Sequence, residues 1–204
     1  MSLTFVRPVL VAASLLALFP GSATAARKQV GAAELSIESV NDAAWRKGNL
    51  SAAVLLKLQV LLDRAHASPG QIDATRGENM RKAVAAFREM RRLGRGEQVD
   101  EHVWRALREK DNEPALVKYT ITEKDVAGPF IETVPQDYRE KASLKRLTYT
   151  SAKELLAEKF HMSEKLLQQL NPNVAFDRAG TEIVVANVTR EALPRRVARV
   201  DVDA

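Results

Sequence analysis

Three times between residues 50 and 110 the apolar side chains recur at spacings of three and four, the repeat that lines one face of an α-helix. The first stripe is Val54, Leu55, Leu58, Leu61, Leu62 and Ala65, and Ser68-Pro69-Gly70 ends its helix near Ala67. A second helix is expected over 79–92, capped by Asn79, with Met80, Ala83, Val84, Phe87 and Met90 facing inward and Gly94 and Gly96 closing it. A third, short helix is expected over 101–109, with Asp100 as N-cap and Val103, Trp104 and Leu107 inward. Three such helices make a module of about 60 residues, which is marginally stable alone.

The rest of the composition narrows what else the 204 residues can be. Aromatics are 5% of the chain, so any core is mainly Leu, Val, Ile and Ala. There is no cysteine, which removes disulfides, thiolate metal sites and cysteine nucleophiles. The net charge of +5 is small and dispersed. A broad phosphate interface needs denser basic clusters, so a nucleic-acid partner is not expected.

Residues 1–25 read as a secretory signal peptide. Arg7 precedes an apolar run from Val9 to Phe19, Pro20-Gly21 breaks it, and Ala23-Thr24-Ala25 is the small-residue pattern read by signal peptidase. The run is about 11 residues, against the roughly 20 that span a bilayer. The expectation is export to the periplasm, cleavage before Ala26, and no stable membrane insertion afterwards. No cysteine follows the small residues, so lipid attachment there is excluded. Disulfide-free export suits a bacterial periplasm.

The remaining chain divides as follows. Residues 26–48 read as an extended arm containing Trp45, and 49–110 as the three-helix module. Residues 111–144 hold a strand at 115–121 and then a linker marked by Gly128, Pro129 and Pro135. Within 145–189, Lys145–Tyr149 is a short strand candidate, and Ser151 and Glu154 form a capping box for a helix through Phe160. Ser163 caps a second helix with Leu166, Leu167 and Leu170, stopped by Asn171-Pro172-Asn173, and Glu182–Val188 is a β-branched strand. In 190–204 the alternation of Ala198, Val200 and Val202 reads as the start of another strand.

Residues 54–107 resemble the peptidoglycan-binding domain of cell-wall enzymes. The shared pattern is Leu58-Gln59, Gly70-Gln71-Ile72-Asp73, Gly77, Ala83-Val84, Phe87 and Trp104. Ala74 stands where that family has Gly, and Arg88 where it has Gln. Residues 148–188 resemble a LysM-like module in their strand-helix-helix-strand order, without its usual Gly-Asp opening. The whole resembles the N-terminal half of alphaproteobacterial L,D-transpeptidases, whose catalytic domain begins with a stretch like VARVDVDA. The implied fold class is mainly α with α+β: a three-helix peptidoglycan-binding domain followed by a small LysM-like module.

Catalytic motifs are few. The transpeptidase reaction needs a Cys thiolate with a nearby His, and this chain has no Cys. Neither S-x-x-K nor H-E-x-x-H occurs. His161 and Glu164 make a lone H-x-x-E, and His66 and His102 are distant in sequence. No metal and no cofactor is expected. Asp73 and Glu78 flank one loop and could meet the carboxylate spacing of a glycosidase, but a turn Asp and a helix N-terminal Glu explain themselves.

The expected function is therefore exported, noncatalytic peptidoglycan (murein) binding, with glycan strands and stem peptides as partners. The loop 68–78 carries the polar side chains Gln71, Asp73, Thr75 and Arg76 that such a surface needs. Arg88 joins them as a candidate, and Arg91-Arg92-Leu93-Gly94-Arg95 either meets carboxylates or complements the helix dipole. The LysM-like resemblance adds Thr150, Ser151, Asn171 and Asn173. Two other readings stand beside this one: the sequence record of a longer L,D-transpeptidase with its Cys beyond residue 204, and an adaptor docking a cell-wall enzyme.

Overall fold

In the computed structural model, residues 35–48, 50–109, 111–143, 148–189 and 199 are described, and all belong to one compact unit. It is organised around α2 (Ala52–Arg64), in which every residue from Val54 to Asp63 is buried. A helix buried on all sides has neighbours on all sides. Val54, Leu58, Leu61 and Leu62 face α3 (Glu78–Met90) and α4 (Glu101–Arg108), where Met80, Ala83, Val84, Phe87, Val103 and Leu107 complete a first core. Leu56 and Val60 belong to a second core on the other side. The sequence stripe identified the first face and missed the second, because Leu56 and Val60 are offset from that stripe by about half a turn.

The second core lies under β1 (Leu116–Thr120), α5 (Glu123–Val126), α7 (Ala152–Lys159), α8 (Glu164–Leu170) and β2 (Glu182–Ala186). β1 and β2 pair antiparallel, with Leu116 opposite Ala186 and Thr120 opposite Glu182. A two-stranded sheet has two open edges, and an asparagine covers each. Asn41, at the end of α1 (Ile37–Asn41), donates to the Leu116 carbonyl at 2.9 Å and accepts from its N–H at 2.8 Å. Asn171, itself buried, does the same for Val184 at 2.8 and 2.6 Å. Each amide stands in for a missing strand.

The helices expected from periodicity are present, the strands expected at 115–121 and 182–188 are the shorter β1 and β2, and Asp100 and Ser163 cap as read. Five details differ. The arm contains α1, closed by a reciprocal box between Ser36 and Ser39. Gly77, not Asn79, is the N-cap of α3, which starts one residue earlier than expected. α3 ends before Gly94, because Arg92 takes φ 55° and lets the Leu93 N–H reach the Arg88 carbonyl at 2.9 Å. The linker contains α5 and α6 (Tyr138–Ser143). The partner of β2 is β1, whereas Thr148 and Tyr149 are outside any strand and 144–147 lie outside the described residues. Of the expected strand within 198–202 only Arg199 is described, outside any strand, and the leader falls outside the described residues.

α5 is held by a buried acid. Asp125 accepts from Tyr119 Oη at 2.6 Å, Thr122 Oγ1 at 2.7 Å and Lys159 Nζ at 2.8 Å. Burial works against its ionisation, but these donors outweigh it and hold the carboxyl well below the usual range. One side chain thereby ties β1, α5 and α7 together.

Candidate functional site

The buried polar residues of α2 position the site. Lys57 donates to the carbonyls of Asn41 and Ala43, which fixes the end of α1. Its ammonium also lies 5.9 Å from the Trp104 ring, at the edge of the three-helix core. Burial, with Arg108 nearby, lowers its pKa. Asp63, fully buried, meets His161 Nδ1 at 3.1 Å. Gln59 holds the loop that follows α2. Its Nε2 donates to Asp73 Oδ1 at 2.8 Å and the Thr75 carbonyl at 3.3 Å, and its Oε1 accepts from the N–H groups of Asp73 (3.1 Å) and Ala74 (2.8 Å). All four hydrogen-bonding positions of the amide are thereby used.

A second clamp acts from the other side. The Ile72 N–H donates to the His161 carbonyl at 2.8 Å and the Ser163 N–H to the Ile72 carbonyl at 2.9 Å. Ile72 is fully buried in the second core. The loop is thus fixed to α2 through Gln59 and to the α7–α8 turn through Ile72. The turn needs a left-handed residue at position 74, and Ala74 adopts it at φ 59°, a strained choice for a residue with a Cβ.

Between this loop and the start of α3 lies an open cleft of about 290 Å³, lined by Gln59, Pro69, Gln71, Asp73, Thr75, Gly77, Glu78, Asn79 and Met80. Gly77 brings no side-chain cap, so the first-turn N–H groups of α3 are left to solvent or a ligand. Asp73 also accepts from Thr75, at 2.9 Å from its N–H and 2.7 Å from its hydroxyl. Partial burial opposes its ionisation, yet the bonds from Gln59 and Thr75 prevail and hold its carboxyl below the usual range. A glycosidase's general acid requires the opposite shift.

The predicted residues separate on this geometry. Gln71, Asp73 and Thr75 line the cleft, and Arg76 is exposed in the same loop outside the lining. Arg88 is spent internally: it donates to the carbonyls of Gly94 and Gln98 and pairs with Asp100 at 3.0 Å, bracing the α3–α4 connection. Ser151 caps α7, and Glu154 reaches back to Thr150 rather than to the cap backbone. Thr150 is therefore occupied, and Asn171 is the β2 brace described above. Asn173 is exposed, at φ 61°. The H-x-x-E residues part company, His161 toward Asp63 and Glu164 toward Lys153 at 3.5 Å. Gln59, Asn79 and Met80 lie outside the expected loop 68–78 and were not foreseen as cleft residues; for the last two, Gly77 directly before a helix is the signal, since a cap without a side chain leaves the helix start open.

A larger hollow of about 510 Å³ lies by the C-terminal ends of α2 and α3, with His66, Arg91, Asp111 and Glu113 in its lining. Arg64 crosses it, bound to Asp111 at 2.7 Å and to the Pro114 and Asn187 carbonyls, so it reads as a structural tie between the halves. Among the described residues no helix is long and apolar enough to cross a membrane. No protein-family model matches the sequence, and no curated protein matches it.

Proposed function

We propose that this is an exported, noncatalytic murein-binding protein that contacts the cell wall through the cleft at residues 69–80. The observation that carries the reading is the clamped, polar cleft in the stretch whose sequence resembles a peptidoglycan-binding domain. Its lining offers the exposed amides of Gln71 and Asn79 beside the Thr75 hydroxyl and the ionised Asp73 carboxylate, the last two held in fixed positions, and prepaid order of this kind lowers the cost of binding a flexible polymer. At about 290 Å³ it is at the small end of ligand sites, suited to one sugar ring or a short peptide segment held weakly. Of the four residues suggested by the LysM-like stretch, three already serve the fold, so contact is assigned to the loop of the helical half.

The test is co-sedimentation of the purified protein with murein sacculi. Saturable pelleting, weakened by the exposed pair Gln71→Ala/Asn79→Ala, is the expected result. Protein that stays in the supernatant overturns the reading.

A further inference from the structure

We infer that the cleft takes the neutral, N-acetylated sugar of murein and not the carboxylates of its stem peptides; this rests on the wall-binding reading above and names the ligand of the same site. Among the nine lining residues the only ionisable groups are Asp73 and Glu78. Both are acids. Among the described residues no Lys, Arg or His lines the cleft, and Arg76, the base of the loop, is outside the lining. Lys82 is engaged with Glu78 at 2.7 Å on the exposed surface. A ligand carboxylate entering here meets the full charge of an ionised Asp73 against only the partial positive charge of the α3 start, with no cationic side chain among the described lining residues, and like charges at close range repel.

What remains is a neutral set with an apolar strip. Asp73 Oδ2 accepts one hydrogen bond from the Thr75 hydroxyl, which leaves a lone-pair direction for an incoming N–H or O–H. Gln71 and Asn79 supply amide donors and acceptors at the rim. Pro69 and Met80 supply the apolar wall. The loop backbone passes close beside Asn79: a Cβ at Gly70 would lie 3.3 Å from Asn79 Nδ2, and Gly70 has φ +77°. An acetamido group presents one carbonyl acceptor, one N–H donor and one methyl, which matches amide donor, carboxylate acceptor and apolar wall in turn. A plain glucose unit lacks the methyl and the amide; a stem peptide brings carboxylates, and its diaminopimelyl ammonium, which would suit Asp73, sits on the same carbon as one of them.

The experiment is an NMR titration of the purified protein with three probes: tri-N-acetylchitotriose, cellotriose, and the tetrapeptide L-Ala–γ-D-Glu–meso-diaminopimelyl–D-Ala, run beside sacculus pelleting. The acetylated trisaccharide is expected to move the backbone amides of Gln71, Thr75 and Asn79. Cellotriose is expected to bind about tenfold more weakly, and the tetrapeptide to leave those amides in place. Asn79→Ala, with its wild-type fold checked in the same spectra, is expected to weaken the trisaccharide by about fivefold, the loss of one hydrogen bond. Protein that pellets with sacculi but answers the tetrapeptide, or answers cellotriose equally, overturns the sugar preference and leaves wall binding intact. Protein that neither pellets nor responds to any probe overturns both.

Discussion

The two cores that share α2 are built on different terms. The three-helix core is apolar throughout, with Leu58, Leu61, Leu62, Phe87 and Val103 essentially inaccessible, and its members are close in sequence. The core under the sheet joins residues from α1 to β2, and polar side chains frame it: Asn41 and Asn171 on the sheet edges, Asp125 between three elements. Local amphipathic helices find each other chiefly by apolar stripe, with Arg88 bracing only the α3–α4 connection. A two-stranded sheet drawn from residues more than sixty apart needs directional brackets, because its backbone groups must be paired wherever they are buried. The cleft loop is fastened to both, through Gln59 and Ile72.

The largest expected effects test whether α2 truly joins the cores. Leu58→Ala on one face and Leu56→Ala on the other should each cost about 3 kcal/mol, a buried leucine deletion with its cavity. Urea unfolding followed by tryptophan fluorescence, which reads Trp45 and Trp104 beside the helical core, should shift for both variants. Far-ultraviolet dichroism should move with it. Separate transitions would make the two regions independent units.

Next comes Asp125. Its folded-state pKa is depressed, so it stabilises the protein at neutral pH. That contribution is lost as pH falls from about 5 through the ordinary carboxylate value near 3.9 and below. Asp125→Asn should flatten part of the fall in melting temperature between pH 7 and pH 3; Asp73, Asp100 and Glu154, also depressed, keep the rest. A variant with the full wild-type slope would remove Asp125 from its bracketing role. Asn171→Ala should cost about 1–3 kcal/mol by orphaning the Val184 N–H and carbonyl, and amide exchange should speed at Val184 before Val84. The smallest effect has the opposite sign. Ala74→Gly should stabilise by about 0.5 kcal/mol, because the left-handed conformation is strained for Ala; a lower melting temperature would show that the methyl contact outweighs that strain.

The same contrast explains what the sequence disclosed. Spacing at three and four located α2, α3 and α4, and Ser or Asp before an apolar run located the starts of α4, α7 and α8. Such signals are local. α5 was legible too, since Thr122-x-x-Asp125 is a reciprocal cap, but Gly128 and Pro129 drew the stretch toward a linker. The partnership of β1 with β2, the second face of α2 and the roles of Asn41 and Asn171 were not legible, because each depends on a contact between distant segments. At the site, Gln71, Asp73 and Thr75 followed from a loop of short polar residues, whereas Arg88 and Asn171 show how a polar residue chosen by position can belong wholly to the fold.

The most direct measurement compares sacculus binding of three proteins: unaltered, Gln71→Ala/Asn79→Ala in the cleft, and Thr150→Ala/Asn173→Ala in the other half. The account predicts that the cleft pair lowers affinity by about tenfold or more, two hydrogen-bonding groups lost, while the second pair binds as the unaltered protein does. Binding that survives the cleft pair and falls with Thr150 and Asn173 would contradict it.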